Sequence, residues 1–93
     1  KRFKSMTVEL LDSFVAKLTD LVDYIAQDKP AAATKFKDDI LQLLRDLPHF
    51  PYKHRKSIYF ENDQTRDVIY KGYTITYHVN ESEQTIQVFS LLK

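Results

Sequence analysis

Arg66 and His78 are the side chains whose type and placement most invite chemistry, and both lie in one alternating stretch, RDVIYKGYTITYHV, at residues 66–79. On a strand, the Arg66 guanidinium can project over the sheet surface toward a ligand or partner. Its competing use is a structural ion pair with Asp63 or Asp67, of the exposed kind that contributes little. His78 titrates near neutral pH when unperturbed and could act as a general base, although a lone strand histidine is more often simply an exposed polar residue. Tyr73 and Tyr77 share the strand face opposite His78, and their spacing suits packing on helices better than stacking on bases.

Elsewhere the chemical inventory is thin. Lys53, Arg55 and Lys56 stand beside His54 in a segment, residues 48–60, that holds no carboxylate, whereas the basic and acidic side chains of residues 1–47 cancel. That cluster reads as solvated decoration or as a small anion-contacting patch, and the formal net charge of +1 is far from that of a strongly basic nucleic-acid binder. His49 and His54 have no third ligand at a recognisable spacing, so no metal site is expected. Ser57, Ser82 and Ser90 lack a strand-to-helix elbow, and there is no cysteine to serve as a nucleophile, thiolate ligand or disulfide. One glycine in the whole chain excludes a glycine-rich phosphate loop, and with it most nucleotide-cofactor chemistry; no cofactor is expected.

The elements that must position these residues follow from periodicity. Lys71-Gly72 separates an arm at 65–70 from an arm carrying Tyr73, Ile75, Tyr77 and Val79, which is the spacing of a two-residue hairpin whose turn needs positive φ and hence glycine. Met6, Val8 and Leu10 alternate with Thr7 and Glu9 as a first strand. Asp12 or Ser13 then caps a helix bearing Val15, Leu18, Leu21, Val22, Ile25 and Ala26 at three- and four-residue steps and ending near Asp28. Pro30 starts a second helix over residues 31–47, with the stripe Ala33, Phe36, Ile40, Leu43, Leu44 and Leu47; Pro48 ends it. Ala26, Ala31, Ala32 and Ala33 let the helices approach closely.

Pro48-His49-Phe50-Pro51-Tyr52 reads as an irregular crossing whose two aromatics plug an edge of the core. Residues 57–60 can extend, 61–64 form a polar turn, and 85–91 make a final strand with Ile86, Val88 and Ser90 on one face and Gln87, Phe89 and Leu91 on the other; its apolar content on both faces suits a central position. The sum is an α+β domain of order β-α-α-β-β-β, its helical hairpin on one face of a mostly antiparallel sheet and the other face open for function. A chain of 93 residues holds one such core, so 1–93 is taken as a single domain. Residues 1–5, ahead of Met6, read as a flexible N-terminal extension without assigned function. No apolar run reaches bilayer-spanning length and no secretory h-region is present, so a cytoplasmic protein without membrane contact is expected.

LTDLVDYIAQDKPAAATKF, LPHFPYKHRKSIYF and TRDVIYKGYTITYHV together resemble, in order and spacing, the RelE/ParE superfamily of toxins from type II toxin-antitoxin modules over nearly the whole chain. RelE-like members cleave messenger RNA on the ribosome without metal, which implies Arg66, His78 and Tyr77 as catalytic candidates if this chain is a nuclease. The arginine that such members place just after the Gly-Tyr pair is Thr74 here, and the chain lacks their basic or aromatic tail. ParE-like members, associated with plasmid stabilisation, carry an arginine seven positions before the hairpin tyrosine, as Arg66 is to Tyr73, and poison DNA gyrase rather than catalyse. The resemblance therefore implies a ParE-like toxin, leaning away from enzyme, with Arg66 and Lys71 facing the target. A degenerate, non-toxic member that only binds antitoxin is the further alternative. The antitoxin partner is expected to lay a folding segment on Phe50, Tyr52, Lys53, Arg55, Lys56 and Tyr59, where aromatic anchors lie beside cations.

Overall fold

A computed structural model describes residues 6–93, so the expectation about residues 1–5 lies outside the described residues. Strand β1 (Thr7–Leu10) leads into helices α1 (Asp12–Ala26) and α2 (Pro30–Arg45), a 3-10 turn (Leu47–His49), and strands β2 (Arg55–Lys56), β3 (Thr65–Tyr70), β4 (Tyr73–Asn80) and β5 (Thr85–Leu92). The sheet order is β1-β5-β4-β3-β2, parallel only between β1 and β5. β5 is thus internal, as its apolar content implies.

The hairpin register is the one that Lys71-Gly72 dictates, with Tyr70 opposite Tyr73 and Arg66 opposite Tyr77. Both turn residues have positive φ, +50° at Lys71 and +82° at Gly72, the left-handed pair of a type I′ turn. Alternation then sends Val68, Ile75, Tyr77 and Val79 toward the helices, where they join Phe14, Leu18, Phe36, Ile40, Leu44 and Leu47 in one core. Phe36 meets the rings of Tyr70 and Tyr73 at 5.9 and 5.2 Å, anchoring α2 over the hairpin.

Several local expectations are corrected. Neither Asp12 nor Ser13 caps α1: Leu11 is the N-cap, with no side-chain bond. The Ser13 hydroxyl instead donates to the Phe89 carbonyl at 2.9 Å. That carbonyl sits at a bulge, since Tyr77 pairs with Val88 while Thr76 pairs with Ser90, leaving Phe89 as the extra residue. The bulge resets the alternation of β5, so Leu91 joins Ile86 and Val88 in the core in place of Ser90. On α1, Leu18, Leu21, Val22 and Ile25 face the core as expected, but at the first turn Phe14 is fully buried in place of Val15, which is 42% exposed. Ala33 alone of the alanine cluster is buried; Ala31 and Ala32 face solvent. α2 stops at Arg45, and Leu47 reaches the core from the 3-10 turn.

The crossing segment also differs from its reading. Phe50 is 68% exposed and plugs nothing, while Pro51 is buried. Residues 57–60 do not extend; the paired edge is the two-residue β2 just before them. The stretch that follows returns over the sheet face away from the helices, where Phe60 meets Phe89 edge-on at 5.7 Å and Thr65, Asp67 and Thr76 lie buried. That second face is therefore partly covered, not open throughout.

Candidate functional site

The segment between the 3-10 turn and β2 has no ladder partner; the Phe50 carbonyl accepts from Lys53 N–H at 3.1 Å within it, and side chains satisfy others. Arg66, on the inner register of β3, serves two of them and one carbonyl of the turn before β3. Its Nε donates to the Asp63 carbonyl at 2.8 Å, and Nη1 donates to the carbonyls of Tyr52 at 3.2 Å and His54 at 3.0 Å. The guanidinium also lies over the Tyr52 ring, 4.9 Å from its centre. One residue earlier, the Pro51 carbonyl accepts from the Tyr77 hydroxyl at 2.6 Å. The Tyr52 hydroxyl in turn donates to Glu81 at 2.6 Å, tying the segment to the β4–β5 turn. Arg66 is therefore neither an isolated cation on an open sheet nor a partner in a carboxylate clasp: it is half-buried and fastens backbone.

Titration follows from these contacts. Burial, reinforced by the Glu81 carboxylate, pushes the Tyr52 phenol up to about 12. Tyr77 is also raised, chiefly by burial, against the opposing pull of the Arg66 guanidinium; its side chain has no accessible surface left. Burial and the neighbouring Lys53 depress His54, whose ring stands edge-on to Tyr77 at 6.2 Å, which favours its neutral form.

The sequence cluster of positive charge is largely cancelled in space. Arg55 Nη2 lies 3.6 Å from Asp67 Oδ2, and Lys56 Nζ lies 2.9 Å from Asp63 Oδ1, which the ammonium holds below the usual carboxylate range. The two pairs differ in kind. Asp67 has no exposed side-chain surface and accepts from the Thr76 hydroxyl at 2.8 Å, whereas Asp63 and Lys56 are both exposed. Among the described residues, Lys53 is the cation of the three that meets no carboxylate.

Of the candidate antitoxin contacts, Phe50, Tyr52 and Lys53 come together with His49 and Pro51 around an apolar groove of about 420 Å³. Arg55 and Lys56 adjoin it on β2, and Tyr59 stands on the next bend, 66% exposed. The two candidate target contacts are not brought together. Lys71 projects at the hairpin tip, its Nζ 5.6 Å from the Tyr70 ring centre, while Arg66 lies at the far end of β3, about 16 Å away along a strand rising ~3.3 Å per residue.

Nor do the nuclease candidates converge. Tyr77 is sealed in the core with its hydroxyl donating to the Pro51 carbonyl, the packing role that its spacing suited. His78 faces the opposite side of β4, where Nδ1 lies 3.1 Å from the Thr65 hydroxyl. A phosphoryl transfer needs its base, acid and cation around one phosphate within hydrogen-bond reach; here they are divided between two faces of a sheet. Among the described residues no cluster of three metal-ligating side chains exists.

Sequence reasoning missed the buried Asp67–Thr76 pair, the Tyr52–Glu81 link and the bond from Tyr70 to Asp39 at 2.6 Å. Register carried a signal for the first alone, since Asp67 and Thr76 face one another once Lys71-Gly72 fixes the hairpin.

The sequence profile of the family described as "ParE toxin of type II toxin-antitoxin system, parDE" matches residues 8–93. Among solved structures, a chain of "Chromosomal ParDE TA system from P. aeruginosa" is similar with a TM-score of 0.75 at 16% identity, over 96% of this chain and 96% of that one. At that identity the likeness is one of fold. No curated protein matches.

Proposed function

The chain belongs to the ParE toxin family of ParDE-type toxin-antitoxin modules, and on that premise we propose that it arrests growth in the cytoplasm by inhibiting DNA gyrase, without catalysis, until its antitoxin covers it. The observation that carries the non-catalytic reading is how Arg66, Tyr77 and His78 are used: Arg66 and Tyr77, cross-strand neighbours, are committed to loop carbonyls, and His78 lies on the opposite face of the sheet. Among the described residues no helix is long and apolar enough to cross a membrane.

The expected antitoxin segment lies on the groove of Phe50, Tyr52 and Lys53, an apolar floor beside an uncompensated ammonium that suits an apolar side chain next to a carboxylate. Lys71, exposed at the hairpin tip, is free to meet the target, and Arg66 acts on the same function by fixing the shape of the 52–54 segment. Purified protein should inhibit gyrase supercoiling and leave messenger RNA intact on translating ribosomes. Cleavage at defined codon positions would instead establish a ribosome-dependent nuclease, and unimpaired growth on expression without antitoxin would mark a non-toxic member. Arg66→Ala, checked by circular dichroism for retained folding, should lose toxicity; full toxicity in the folded variant removes Arg66 from the functional surface.

A further inference from the structure

We propose that the β1 edge is a second docking surface, built to accept an extended polypeptide segment of a partner protein as a sixth strand. Among the described residues β1 ends the sheet, paired only with β5. Thr7 N–H donates to the Gln84 carbonyl and Leu11 N–H to the Val88 carbonyl, so the inward-facing backbone groups of this strand belong to the odd-numbered residues. The intervening N–H and C=O groups of Val8 and Leu10 therefore point out of the sheet, and none has a hydrogen-bond partner across that edge among the described residues.

Their side chains complete the site. Val8 and Leu10 line a groove of about 340 Å³ with Leu41, Leu44 and Arg45 of α2. A strand added here would lower alternate side chains into that groove while its backbone closed the ladder, the combination by which sheet edges capture peptides. Arg45 donates to Gln42 at 3.1 Å but meets no carboxylate among the described residues, so an acidic residue of the incoming strand belongs beside it. On the other face of β1 stands Glu9, exposed and bonded to Gln87 at 3.3 Å, which favours a basic residue opposite.

Glu9 also decides against a second copy of this chain. The antiparallel register in which both Val8 and Leu10 exchange bonds with a symmetry mate places Glu9 opposite Glu9, and facing like charges oppose pairing. The occupant is a heterologous strand that is apolar at two alternate positions, acidic at the next inward position and basic outward.

The probe is a synthetic peptide of that pattern, acetyl-KIKVTD-amide, titrated into the isotope-labelled full chain. Saturable amide shifts should concentrate at residues 7–10 and 41–45, and hydrogen exchange at Val8 and Leu10 should slow on saturation. Arg45→Glu should weaken binding roughly fivefold, the scale of an exposed charge pair, and a peptide with its aspartate changed to lysine should restore it. N-methylating the alternate peptide amides, which leaves the protein untouched, should abolish binding. The proposal is overturned by shifts confined to the groove at residues 49–53, by no saturable binding at millimolar peptide, or by a concentration-dependent homodimer that protects Val8 and Leu10 without peptide.

Discussion

Arg55 and Lys56 are sequence neighbours on one two-residue strand, each paired with an aspartate, yet removing them should have very different consequences. Asp67, the partner of Arg55, has no exposed side-chain surface, and its Oδ2 accepts no hydrogen bond. Arg55 at 3.6 Å is thus the nearest compensation for that oxygen. The gross attraction at this separation is about 4–5 kcal/mol for an effective dielectric of 20. Arg55 is itself 53% exposed, so solvent screening and its own desolvation reduce the net loss in Arg55→Ala to about 2 kcal/mol. The loss for Lys56→Ala, whose pair is exposed on both sides, should stay within about 0.5 kcal/mol.

In thermal melts of a domain this size those figures correspond to falls of roughly 8–16 °C and under ~4 °C. Urea unfolding at constant m-value provides the independent measure. The double variant Arg55→Ala with Asp67→Asn keeps an acceptor for Thr76 but removes the stranded charge, and should recover most of the loss. Equal falls for Arg55→Ala and Lys56→Ala, or no recovery in the double variant, would refute the reasoning.

Tyr77→Phe strands the buried Pro51 carbonyl and should cost about 1–3 kcal/mol; limited trypsin digestion should then cut sooner at Lys53, Arg55 or Lys56, and unchanged digestion would deny that the phenol holds the loop. Tyr52 and Tyr70, the latter raised chiefly by its bond to Asp39, both titrate near 12 against the ordinary 10.0. Because their protonated forms are favoured on folding, that stability is whole below pH about 10 and is lost as pH climbs toward 12. Phenolate absorbance near 295 nm should show both appearing late, and Tyr52→Phe and Tyr70→Phe should each remove one late-titrating group. Lys71 holds a left-handed φ of +50° that favours asparagine, so Lys71→Asn should stabilise by about 0.5–1 kcal/mol in urea unfolding. If Lys71 faces the target, the same variant should lose toxicity while gaining stability.

The hairpin, both helices and the membership of each main apolar stripe were legible in the sequence because they are local: periodicity names the buried face, proline marks where a helix starts, and Lys71-Gly72 fixes a register that puts Arg66 opposite Tyr77. What the sequence could not supply were the contacts between segments distant along the chain. Residue order makes Lys53, Arg55 and Lys56 a basic cluster; folding brings Asp63 and Asp67 onto two of them and leaves one. Strand position makes Arg66 a projecting cation; two carbonyls of the unladdered segment and one from the turn before β3 make it a fastening. A single bulge at Phe89, capped by a hydroxyl 76 residues away, exchanges Ser90 for Leu91 in the core. Alternation is a property of a strand alone, whereas a bulge, a buried ion pair and a satisfied carbonyl each depend on which groups the rest of the chain brings alongside, and that is set only when the layers close.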